Sequence, residues 1–126
     1  MLVAGMMGGI ELGKYDGIDF TPPQSVRNNA RRALDIREKQ SPSNRAMTPT
    51  GLARARDLMN GVNLSPDTIK RMKAFFDRHQ GTRPKGNIKN SRWEQAWLGW
   101  GGDEGRTWAE KVVNQMRKRD EKLTNK

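Results

Sequence analysis

The chain has no cysteine and a single histidine, His79, in 126 residues. Disulfides and thiolate metal sites are therefore excluded, and cysteine usage says nothing about redox compartment. With no second His or Cys to join His79, no metal set can be assembled around it. No apolar run approaches the roughly 18 residues that a bilayer-spanning helix needs. The opening M-L-V-A-G-M-M-G-G-I lacks a basic n-region and is broken by glycines, so a secretory signal is not expected. Hydrophobic residues make up only 33% of the chain, against 30% charged. That balance suits a modest core under a heavily solvated surface, or a chain that completes its burial against a partner. The length leaves room for one domain, or a small domain with an arm. Aromatics are also scarce, with three Phe and one Tyr, yet all four tryptophans fall between Trp93 and Trp108.

What is abundant is positive charge. Lys and Arg total 24 against 14 acids, a formal net charge of +10. The first twenty residues hold one Lys and three acids, and every later segment is net positive. A body of that sign attracts polyanions, of which nucleic acid is the commonest.

The chain reads as an arm followed by helices, with residues 1–23 the arm, 24–122 a helical domain and 123–126 a frayed end. The arm has five glycines, at 5, 8, 9, 13 and 17, and no helical period. Ile10, Leu12, Ile18 and Phe20 suggest two short extended pieces around a turn at Tyr15-Asp16-Gly17, wrapping the body or adding to a neighbour. A first helix is expected over residues 24–40, with Val26, Ala30, Ala33 and Leu34 as its apolar stripe. A second begins at Thr48-Pro49 with Leu52, Ala55, Leu58 and Met59 inward, and closes at Asn60-Gly61. The third has Ser65 as cap, Pro66 at the first position and Asp67 at the positive end of the dipole. Ile69, Met72, Phe75 and Phe76 point inward from it. Ser91 and Glu94 have capping-box spacing before a fourth helix, on which Trp93, Ala96, Trp97 and Trp100 form one face. Gly101-Gly102 turns the corner, Asp103 is expected to cap the next helix, and Trp108, Val112 and Met116 line that helix to about Lys122. The expected fold is an all-α, compact bundle of about five helices with an extended Gly-rich N-terminal arm. Leu52, Ile69, Phe76, Trp93, Trp97 and Trp108 are its expected structural core.

Candidate nucleic-acid contacts are Arg27 and Arg31 on the first helix, and Lys70, Arg71 and Lys73 on the third. The Gly- and Pro-containing loop from Gln80 to Asn90 adds Arg83, Lys85 and Lys89, followed by Arg92. Flexible bases around glycines can follow a phosphate backbone without reading sequence, and an ordinary polar loop has the same composition. The helix pair from Thr48 to His79 invites a helix-turn-helix reading. Its connector is longer than the usual turn, and the third helix offers no Asn or Gln for adenine. The helical spacing of the tryptophans argues for a buried face rather than a stacking platform. Catalysis finds no foothold. His79 ends a helix, where terminal carbonyls are its expected partners. Gly99-Trp100-Gly101-Gly102 lacks the preceding strand and the G-K-[ST] ending of a phosphate loop.

Several motifs occur together in order: N-N-A-R-R-A-L-D-I-R-E-K (28–39), G-L-A-R-A-R-D-L-M-N-G (51–61), L-S-P-D-T-I-K-R-M (64–72), F-F-D-R-H (75–79) and A-W-L-G-W-G-G-D-E-G-R-T-W-A (96–109). This series, covering roughly residues 26–110, resembles a small helical module of tailed phages and prophages. That module occurs beside or fused to head-assembly products of the prohead-protease-like and portal-like kinds. Relative to it the loop between R-H and W-G-G-D is shortened here, although Lys85-Gly86 retains a K-G. The resemblance implies a phage context, in the host cytoplasm or the virion, and a structural or DNA-associated role, with no catalytic residues to carry over. The expectation is a non-enzymatic basic protein without cofactor, metal or membrane, bound to nucleic acid mainly through backbone phosphates. The alternatives are a virion protein bridging capsid, portal or neck subunits, and an inhibitor of an acidic host protein.

Overall fold

The computed structural model describes residues 14–124; the expectations for Ile10, Leu12 and the last two residues lie outside them. Five helices account for most of the described chain: α1 (Gln24–Glu38), α2 (Pro49–Met59), α3 (Pro66–His79), α4 (Arg92–Gly99) and α5 (Gly102–Thr124). Two short 3₁₀ turns, Pro42–Asn44 and Gln80–Thr82, interrupt the connections, and no strand occurs among the described residues. The fold is all-α.

Local chemistry fixes the helix starts. Thr48, Ser65 and Ser91 each accept a backbone N–H three residues on, from Gly51, Thr68 and Glu94, all at 3.1 Å. Each satisfies one of the donors that a helix start leaves without a partner. The Glu94 carboxylate reaches back to the N–H of Asn90 at 2.8 Å, one residue before the position a capping box would use. At the other end, α1 stops at Glu38 rather than Gln40. Arg45 folds back there, its guanidinium donating to the carbonyls of Arg37, Glu38 and Gln40 at 3.1–3.2 Å.

Helix α1 packs on α2, α4 and α5, whereas α3 packs chiefly on α5. The core between them holds Val26, Ala30, Leu58, Ile69, Met72, Phe76, Trp93, Trp97, Trp108, Val112 and Met116. Leu52 is a correction. It is only half-buried, because its side of α2 faces the groove that it lines with Leu34 and Met59. The helix-turn-helix reading is not supported either, since α2 packs on α1 and α4 and is not a principal neighbour of α3.

The glycine corner differs from expectation in one respect. Gly101 and Gly102 have φ of +115° and +68°. A Cβ on Gly101 would sit 2.8 Å from Cα of Gly105 and 2.9 Å from Val26, so the close approach of α1, α4 and α5 needs glycine. The corner launches α5 directly at Gly102, with the Gly101 carbonyl accepting from Gly105 N–H at 2.9 Å. Asp103 is therefore not the cap. It lies in the first turn, and its carboxylate accepts the Trp97 indole N–H at 2.8 Å. Asn29 braces the same corner, donating to the Gly101 carbonyl at 2.8 Å and to Glu104 at 2.7 Å.

The described part of the arm wraps the body. The Tyr15 hydroxyl donates to Asp120 at 2.9 Å, Arg119 donates to the carbonyls of Lys14 and Asp16, and Leu64 N–H donates to the Phe20 carbonyl. Ile18 and Phe20 pack against the core.

Candidate functional site

Helices α3 and α4 meet through rings. Trp100, Phe75, His79, Trp93 and Trp97 form a continuous stacked series, with neighbouring centroids 4.7–5.1 Å apart and planes within 24° of parallel. Phe76 closes the series from below, edge-on to Trp97 at 4.9 Å. The spacing follows from two i, i+4 pairs, Phe75/His79 on α3 and Trp93/Trp97 on α4. His79 is thus a structural ring. Its Nε2 lies 3.3 Å from the Trp93 carbonyl, to which it must donate, and the Trp93 indole returns a bond to the His79 carbonyl at 3.0 Å. Burial pushes the His79 pKa below the ordinary imidazole value; the Trp93 carbonyl opposes that shift, and the Arg78 charge adds to it.

At the Trp100 end of the series the surface opens into a cleft of about 460 Å³. Phe75, His79 and Trp100 line it, together with Arg45, Arg78 and Arg92, and no carboxylate lies among its lining residues. Arg78 and Arg92 are exposed and form no ion pair among the described residues. Arg45 is partly committed, since three of its hydrogen bonds hold the end of α1. The site is a cationic mouth over an aromatic floor.

The other expected contact residues are distributed differently. Arg27 is half-buried, with Nε 3.4 Å from the Met59 carbonyl and its guanidinium packed on Gly61, so it ties α1 to the end of α2. Lys73 pairs with Asp77 at 2.7 Å. Lys70 lies near enough to Asp120 to help lower that carboxyl's pKa, behind the larger effects of Tyr15 and Lys14. Arg83 lies over Trp93, 5.2 Å from the ring centroid. Arg31, Arg71, Lys85 and Lys89 are exposed. Only Arg92 of the nine lines the cleft. Arg45, Arg78, Phe75 and Trp100 were not singled out as contacts from sequence. Ala96 and Trp100, expected on one buried face with Trp93 and Trp97, are a correction: both are only partly buried and line the cleft with Arg92, which precedes them at i, i+4 and i+8 spacing.

Among the described residues no group of three or more His, Cys, Asp or Glu could hold a metal, and no helix is long and apolar enough to cross a membrane. Comparison with family models, with curated proteins and with solved structures gives no match.

Proposed function

We propose that this is a small non-enzymatic nucleic-acid-binding protein that grips its target mainly through backbone phosphates, in the tailed-phage or prophage setting that its motifs resemble. The observation that carries this reading is where charge is left uncompensated. Arg78, Lys85, Lys89 and Arg92 lie within fifteen residues of sequence, are exposed, and form no ion pair among the described residues. Exposed bases without acidic partners are the side chains that exchange counterions for phosphates. The ion pairs among the described residues instead involve Lys14, Arg54, Lys73 and Arg106.

Fluorescence anisotropy with labelled random duplex and with single strands at low salt tests the reading. Binding should be measurable for both and should weaken steeply with added salt. Charge reversal at Lys85 and Lys89 together should weaken it further while leaving the helical signal intact. Absence of binding to either form at low salt removes the reading.

A further inference from the structure

We propose that the cleft between α3 and α4 is a subsite for one unpaired nucleotide of a single-stranded segment, with the base against Trp100 and Ala96 and the phosphate on Arg78 and Arg92. The inference rests on the nucleic-acid reading and adds which form of nucleic acid the protein distinguishes.

Size comes first. A cleft of about 460 Å³ lies within the range of small-molecule sites, roughly 300–1,000 Å³, and admits one nucleotide but not a double helix. Its lining then selects the ligand class. Three arginines without a carboxylate favour an anion, while Trp100, the end ring of the stacked series, and the Ala96 methyl favour a flat apolar group. A bare phosphate would leave the apolar part of that lining unused, and an acidic peptide brings carboxylates but no obligatory flat group. A nucleotide supplies both. In a duplex the same base is already stacked and paired, so the cleft discriminates for strands whose bases are free.

The donor inventory agrees. The indoles of Trp93 and Trp97 donate to the His79 carbonyl and to Asp103. The Trp100 indole N–H has no hydrogen-bond partner among the described residues, and it lines the cleft without being sealed from solvent. Such a donor can meet a base carbonyl. Gly51 lies beside that donor in the cleft wall, and an added Cβ there would lie 3.7 Å from Trp100 Nε1. A larger side chain at that position would occupy the space without altering any charge.

Anisotropy of an oligothymidylate against an abasic strand of the same length tests this directly. Both carry the same phosphates, and only one carries bases. The protein should bind the oligothymidylate about tenfold more tightly, the scale of one base resting on aromatic side chains. In Trp100→Leu, and independently in Gly51→Leu, with folding verified by circular dichroism, the ratio should fall to about one. Equal binding of the two strands by the wild-type protein overturns the cleft inference and leaves the phosphate reading standing. A ratio unchanged in both folded variants overturns it as well, because the base would sit elsewhere. No binding of either strand or of duplex overturns both readings. Equal retention of polyglutamate of matched charge overturns the inference in favour of an acidic protein surface.

Discussion

At the scale of single residues, the side chain that the sequence conceals best is Gln95. It is fully buried, the only buried side chain besides Thr68 that is polar among the described residues. Its Oε1 accepts the Ala46 N–H at 2.9 Å, and its Nε2 donates to the carbonyls of Asn44 at 3.0 Å and Asn90 at 3.2 Å. One amide thus stitches the α1–α2 connection and the start of α4 together. Gln95→Ala leaves a buried N–H without a partner and should cost about 2–3 kcal/mol in denaturant unfolding. Gln95→Glu should cost at least as much, since a carboxylate cannot donate to the two carbonyls. His79 makes the second residue-scale prediction. Its pKa is lowered in the folded state, by burial first and with Arg78 contributing, while Arg45 and Arg92 line the same cleft. The unfolded chain therefore takes up the proton first as pH falls. Stability from the neutral ring is complete above about pH 6.5 and is lost as pH drops through the lowered folded value. The thermal midpoint should thus fall between about pH 7 and about pH 5, and His79→Phe, which keeps a ring in the stack, should flatten that slope. Equal slopes for the two proteins would mean that another group controls the decline. Glu104, held low by its bond from Asn29, and Asp120, held low by Tyr15, weaken the fold in the same sense but in the more acidic carboxylate range.

At the scale of elements, the tryptophan corner bears the heaviest packing. Trp97 and Trp108 are 7% and 8% exposed, and Trp97 bridges Phe76 of α3 to Asp103 of α5. Truncating either to Ala should cost about 3–5 kcal/mol, much of a small domain's stability, and should abolish binding only by abolishing helical signal. Gly101→Ala should also unfold the corner at lower denaturant, because its Cβ meets the Gly105 backbone, which has no rotamer to yield. Much of this level was legible in the sequence. The caps at Thr48, Ser65 and Ser91 are local signals, and the buried stripes of α1, α3 and α5 repeat at helical spacing. The exceptions were non-local. Asp103 has the composition of a cap, and only the arrival of the Trp97 indole gives it another task. Leu52 has the spacing of a core residue, yet the side of α2 that carries it meets a groove rather than a helix. The candidate cleft was hidden for the same reason. Arg78 follows a buried stripe on α3, Arg92 opens α4, and Arg45 lies in the α1–α2 connection, so no window of sequence contains all three.

At the scale of the whole molecule, a net charge of +10 spread along the chain does not say how many charges meet a polyanion at once. The structure narrows the choice. Arg27 is spent on the Met59 carbonyl and Lys73 on Asp77, whereas Arg78, Arg83, Lys85, Lys89 and Arg92 follow one another from the end of α3 to the start of α4. On the proposed reading, a footprint built on those side chains would neutralise about five phosphates and set a log–log salt slope of about −4 to −5 on duplex and about −3.5 on a single strand. Reversing Lys85 and Lys89 should make the slope shallower by about two contacts' worth, with the melting curve nearly unchanged. Arg31→Glu, an exposed change on α1, should lower affinity only through the general field and leave the slope intact. The comparison maps the face, because the slope counts displaced counterions while affinity alone responds to any loss of positive charge. A shallower slope for Arg31→Glu and an unchanged one for the loop pair would move the footprint onto α1, and the cleft beside the loop would then lie off the path of the strand.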